Sequence, residues 1–177
     1  MLQRRHCNRL ILFLIRNVPD ILDRVDEKGY TALTHAAKHG KTDIVESLLQ
    51  HGASPDIRET LTIFNDTAIS WAVYRGHLEC VRLLLKYGSD KDQRTLNDGK
   101  TLLMWAVHRN QSDVFRLLVE NGCCLRKRTR NGYSVMYHLR RDFRFITDTY
   151  MKSIRNAVHT TFTQIPTDLV NYIMLFY

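Results

Sequence analysis

The chain has 177 residues, 44% of them apolar and 25% charged, which is the size and balance of one ordinary globular unit. Residues 10–15 form a short apolar run that cannot span a bilayer; it is also too short for a signal-peptide core, and no small-residue cleavage site follows. The formal charge of +8 admits an acidic protein or a nucleic acid as partner, but no groove-reading motif or basic–aromatic array accompanies it. Cys7, Cys80, Cys123 and Cys124 fit neither a disulfide framework nor a zinc site, so the expected setting is intracellular and reducing, cytoplasmic or nuclear.

In chain order, residues 1–25 hold Leu10-Ile11 and Leu14-Ile15, which lie 34 residues before Ile44-Val45 and Leu48-Leu49. That offset predicts the second helix of a half repeat, or a cap. From residue 26 a pattern recurs. Thr31, Thr67 and Thr101 are each followed after five residues by Ala36, Ala72 and Ala106, and after twenty-one by Gly52, Gly88 and Gly122. A threonine followed by a helical pattern predicts an N-cap. The blocks 44–49, 80–85 and 114–119 carry one apolar stripe at helical spacing. The glycines predict left-handed turns that end each second helix. Gly40, Gly76 and then Asn110 stand between the paired helices, and Asn is the next best residue for that backbone. In the second repeat Ile63-Phe64-Asn65-Asp66 replaces the expected turn glycine.

Asn131-Gly132-Tyr133-Ser134 restarts the turn of a fourth repeat, but Leu139 and Phe143 stand where Ala and Gly would recur. The reading is therefore three full repeats and one partial repeat over residues 26–142. Over 143–177, Ile146, Tyr150, Ile154 and Val158 put an apolar stripe on one helix. Pro166 opens a second helix at a favoured first position, with Asp168 in its first turn and Leu169, Tyr172, Ile173 and Phe176 on its apolar face.

The stretch Gly29-Tyr30-Thr31-Ala32-Leu33-Thr34-His35-Ala36-Ala37-Lys38-His39-Gly40, with Leu48-Leu49-Gln50-His51-Gly52-Ala53, resembles the ankyrin repeat, a turn plus two antiparallel helices recurring about every 33 residues. The family's proline after the threonine is replaced by Ala32, Ala68 and Leu102. The resemblance implies an all-α ankyrin-repeat solenoid that binds proteins through its turn tips and the concave face of its first helices. Counted from each threonine, those positions include Tyr30, Lys38 and His39, then Phe64, Tyr74 and Arg75, then Lys100, His108 and Arg109, and finally Tyr133. Tyr and Arg are favoured interface anchors, and Tyr74-Arg75 beside His108-Arg109 implies a client that is acidic or carries aromatic anchors.

The tail, a helical hairpin in this reading, resembles a SOCS box through Ile154-Arg155, Ile165-Pro166 and the closing Leu169-Val170-Asn171-Tyr172-Ile173-Met174-Leu175-Phe176. That resemblance implies a substrate adaptor for a cullin–RING ubiquitin ligase. Elongin B and C would be bound through Ile146, Tyr150, Ile154 and Val158, and the cullin through Ile165, Pro166, Leu169 and Tyr172. Ile146 and Tyr150 depart from the family's Leu and Cys. Ile165-Pro166-Thr167-Asp168-Leu169 also resembles the opening of a truncated F-box, and a capping hairpin on the last repeat is the plain structural alternative. A sequestering ankyrin module without ubiquitin chemistry is the rival function.

Three further readings stay open. Trp71 and Trp105 share the register that His35 fills in the first full repeat, so the indoles form an exposed ladder or pack between adjacent first helices. Lone histidines such as His77 are expected to tie neighbouring turns. The cluster Arg126-Lys127-Arg128-Arg130 is a solvated inter-repeat turn or an anionic contact. No phosphate loop, nucleophile elbow or carboxylate pair suggests catalysis, and neither a metal nor another cofactor is expected.

Overall fold

In the computed structural model, residues 21–58, 67–95, 99–135 and 137–138 are described. Six helices lie within them: α1 (Ala32–Lys38), α2 (Thr42–Gln50), α3 (Ala68–Arg75), α4 (Leu78–Lys86), α5 (Leu102–His108) and α6 (Ser112–Glu120). Of the half repeat or cap expected in residues 1–25, residues 1–20 fall outside the described residues, as do Leu139, Phe143 and the whole tail from 143 onward.

Each first helix starts because its threonine satisfies a backbone donor that the helix leaves open. Thr31, Thr67 and Thr101 accept from the N–H groups of Thr34, Ser70 and Met104 at 3.1, 3.4 and 3.4 Å. The paired helix follows a single left-handed residue: Gly40 at φ 64°, Gly76 at φ 78°, and Asn110, the one non-glycine with positive φ among the described residues, at φ 55°. The third repeat thus keeps its turn without glycine, as its asparagine predicts. Gly52, Gly88 and Gly122 follow the C-caps of α2, α4 and α6, also with positive φ.

Packing gives two layers. α1 lies against α3 and α3 against α5, α2 lies against α4 and α4 against α6, and the helices of each pair α1–α2, α3–α4 and α5–α6 pack on each other. The interior carries the repeat register. Ala36, Ala72 and Ala106 let the paired helices close up, and Leu48, Leu84 and Leu118 are at most 1% exposed. Burying each such leucine contributes roughly 2 kcal/mol. Before α1 and α5 and after α6, short hairpins close with single antiparallel bridges, Val25 to Thr31, Arg94 to Thr101 and Arg128 to Ser134.

Neighbouring repeats are also tied through their turns. The Ser54 N–H donates to Asp23 Oδ1 at 2.9 Å, the Asp90 N–H to Asp56 Oδ1 at 3.0 Å, and the Cys124 N–H to Asp92 Oδ1 at 2.7 Å. His77 Nε2 lies 3.3 Å from the Lys38 carbonyl, and Gln111 Nε2 donates to the Tyr74 carbonyl at 3.3 Å. His77 therefore does what its position predicts, linking one inter-helix turn to the next.

Candidate protein-binding face

The first helices bury the positions three, five and six residues after their threonines. They turn the positions four, seven and eight residues on toward solvent, because those lie on one stripe of a helix. In α1 these are His35, Lys38 and the exposed cap His39, in α3 Trp71, Tyr74 and Arg75, and in α5 Trp105, His108 and the exposed cap Arg109. Stacking the three helices side by side turns three stripes into one surface.

Aromatic rings run across that surface without a break. Tyr30 meets His35 at 5.2 Å between centroids and Trp71 at 6.0 Å. Trp71 meets Tyr74 at 5.9 Å, Tyr74 meets Trp105 at 5.3 Å, and Trp105 meets His108 at 5.8 Å. All five contacts are edge-to-face, the arrangement the ring quadrupole favours. Both readings of the tryptophan register are thus met at once, since the half-buried indoles pack across neighbouring first helices and their line of rings still faces outward.

Cations lie on these rings. Lys38 Nζ is 4.4 Å from the Tyr30 centroid and 4.0 Å from that of Trp71, Lys100 Nζ is 4.6 Å from Trp105, and the Arg109 guanidinium is 4.3 Å from Tyr74. Arg75 stands farther off, 6.0 Å from Tyr74. Each close pair contributes about 0.5–1 kcal/mol at an exposed site and fixes the direction of a long side chain.

The expected contact positions do not all fall in one place. Lys38, Tyr74, Lys100, His108 and Arg109 gather on the ladder. His39 and Arg75 flank it, exposed. Tyr30 is only 8% exposed and serves as a wall for Lys38, whose Nζ donates to its hydroxyl at 3.3 Å. Tyr133 sits apart in the fourth turn, 42% exposed and stacked on Tyr137 at 4.2 Å. Phe64 lies outside the described residues, as do Ile146, Tyr150, Ile154, Val158, Ile165, Pro166, Leu169 and Tyr172.

Asp26 was not among the expected residues, although its position at the head of the hairpin could have marked it. One oxygen accepts from the N–H groups of Lys28 and Tyr30, both at 2.9 Å, and the other lies 2.8 Å from His35 Nε2. The His35 hydrogen bond, followed by that from the Tyr30 N–H, lowers the Asp26 pKa to about 2. Asp26 thereby orients the first ring of the ladder.

The basic cluster after α6 works as a turn. Lys127 Nζ donates to the Asp92 carbonyl at 2.6 Å and Arg128 donates to the Gly132 carbonyl at 2.9 Å, while Arg130 is exposed. Burial pushes the Cys123 thiol up to about 12. Among the described residues no three His, Cys, Asp or Glu side chains converge as metal ligands, and no helix is long and apolar enough to cross a membrane.

Comparison with known families gives two matches. Residues 28–60 match the family model described as ankyrin repeat, and residues 54–129 the model described as ankyrin repeats in three copies. Together they run without a gap over more than half of the chain. No curated protein matches it significantly.

Proposed function

Since the chain belongs to the ankyrin-repeat proteins, and is thereby a protein-binding module, we propose that it is the client-recognition subunit of an elongin–cullin–RING ubiquitin ligase in the cytoplasm. The observation that supports this most is the order of its parts. A repeat array runs into a tail whose Ile154-Arg155, Ile165-Pro166 and Leu169 to Phe176 resemble a SOCS box. In this reading the ring ladder of α1, α3 and α5 receives the client, and its cations suit an acidic one. Ile146, Tyr150, Ile154 and Val158 meet elongin C, while Ile165, Pro166, Leu169 and Tyr172 meet the cullin. The chain brings client and ligase together and carries out no chemistry itself.

Capture of purified elongin B–C by the full chain tests the tail. Tyr150 replaces a smaller thiol in the family pattern, and overpacking a fitted pocket costs about 1–3 kcal/mol. Tyr150→Cys should therefore strengthen capture by about 5- to 150-fold, and deletion of 144–177 should abolish it while client binding persists. If neither the natural chain nor Tyr150→Cys retains elongin C, the ligase reading falls. The chain then acts by sequestration, the alternative that the phenol at position 150 favours.

A further inference from the structure

Two cations converge on the second repeat from opposite neighbours. Lys38 belongs to α1, yet its ammonium lies 4.0 Å from the Trp71 ring; Arg109 caps α5, yet its guanidinium lies 4.3 Å from the Tyr74 ring. Each has a second anchor. Lys38 Nζ donates to the Tyr30 hydroxyl and Arg109 Nε to the Tyr74 carbonyl, both at 3.3 Å. Neither forms an ion pair among the described residues. The Trp71 and Tyr74 rings, 5.9 Å apart, form the floor between them.

We propose that this clamp binds an extended acidic segment of the client in which two carboxylates flank one aromatic residue at alternate positions, acid-x-aromatic-x-acid. The inference rests on the reading that the ring ladder receives the client, and it names what that client must present. Through the two rings, the cations can be at most about 14 Å apart, and in an extended chain residues i and i+4 lie about 13 Å apart. Alternation puts i, i+2 and i+4 on one face of such a chain. The outer acids then meet Lys38 and Arg109, and the middle ring lies against Trp71 and Tyr74. Because the rings already hold both cations in place, binding loses less side-chain freedom than it would at free lysine and arginine.

The test uses the full chain and a labelled synthetic peptide, Glu-Ala-Phe-Ala-Glu between Gly-Ser flanks, read by fluorescence anisotropy. Two controls accompany it, the Gln-Ala-Phe-Ala-Gln peptide and a reordered Glu-Glu-Ala-Ala-Phe peptide of the same composition. Lys38→Met changes a half-buried end of the site and Arg109→Gln an exposed one, and circular dichroism verifies that both fold. The Glu peptide should bind at least tenfold tighter than either control. Each substitution should weaken it by about tenfold, the scale of one charged hydrogen bond, and should leave the Gln peptide unchanged. Equal binding of the reordered peptide, equal binding by folded Lys38→Met and Arg109→Gln, or no binding of the Glu peptide would overturn the proposal. Elongin capture is measured separately. Peptide failure with elongin capture intact sinks the recognition pattern alone, while peptide binding without elongin capture sinks the ligase reading alone.

Discussion

Gly40 and Gly52 share a left-handed backbone, φ 64° and 91°, but differ in what stands beside them. Among the described residues a Cβ on Gly52 would meet nothing within 4 Å, whereas one on Gly40 would lie 2.6 to 2.9 Å from three atoms of the His77 ring. Placing an L-residue in this backbone region costs roughly 1–2 kcal/mol, and that is the whole expected effect of Gly52→Ala. Gly40→Ala adds a collision that His77 can relieve only by leaving the Lys38 carbonyl, 3.3 Å away. Losing that hydrogen bond adds about 1 kcal/mol, so the total is about 2–3 kcal/mol. Urea unfolding followed by circular dichroism measures both variants. Adding His77→Ala should remove the collision, so the double variant should cost clearly less than the two single changes added together. Equal losses for Gly40→Ala and Gly52→Ala, or strict additivity with His77→Ala, would refute the assignment of His77 as the contact that ties the first inter-helix turn to the second. The same variants probe the ladder, because the Lys38 that contacts Trp71 sits in the last turn before Gly40.

Thr67 and Thr101 both cap helices, but the Thr67 hydroxyl also donates to Gln93 Oε1 at 2.7 Å, and the buried Gln93 Nε2 has no partner among the described residues. Thr67→Ala should therefore cost about 2–3 kcal/mol and Thr101→Ala about 1 kcal/mol in the same unfolding assay. Asp26, with its pKa lowered to about 2 from the usual 3.8, stabilises the fold above that usual value and loses the contribution as pH falls toward 2. The thermal midpoint of the natural chain should thus drop more steeply over that interval than that of Asp26→Asn, and parallel curves would remove Asp26 from the hairpin's support. Burial raises the Cys80 and Cys123 thiols while Cys124 is partly exposed, so mass spectrometry after brief alkylation at neutral pH should find Cys124 modified before the other two.

Much of the fold is legible because a stacked repeat answers to local rules. Thr31, Thr67 and Thr101 cap helices through bonds three residues long, and Asn110 takes a backbone that its side chain tolerates. Neither depends on distant packing. The stripe four, seven and eight residues after each threonine is equally local, which is why the ankyrin resemblance, counted from each threonine, could place Lys38, Tyr74, His108 and Arg109 on one face. Spacing does not say which neighbour a long side chain will reach. Lys38 goes forward to Trp71 and Arg109 back to Tyr74, a choice set by ring faces on another repeat. Tyr30 has the place of a contact residue in the turn, but Lys38 from the end of α1 and Trp71 from the next repeat cover it. The Asp26–His35 contact joins two residues nine apart that only the hairpin brings together.

The position of the clamp also makes recognition a property of the stack, not of any one repeat. Its floor comes from α3, but its cations arrive from α1 and from the end of α5. Each repeat in such an array depends on its neighbours for stability. Loosening α1 or α5 would withdraw Lys38 or Arg109 while leaving the Trp71 and Tyr74 rings in place. A substitution buried in the third repeat, such as Leu118→Ala at a side chain with no exposure, should cost about 2–5 kcal/mol of stability. It should also weaken an acidic segment more than a neutral one of the same shape, because the charge contact fails before the apolar one. Equal loss for the two peptides would mean that the rings and the cations rise and fall together, and that Arg109 is not carried by the third repeat independently of the floor it covers.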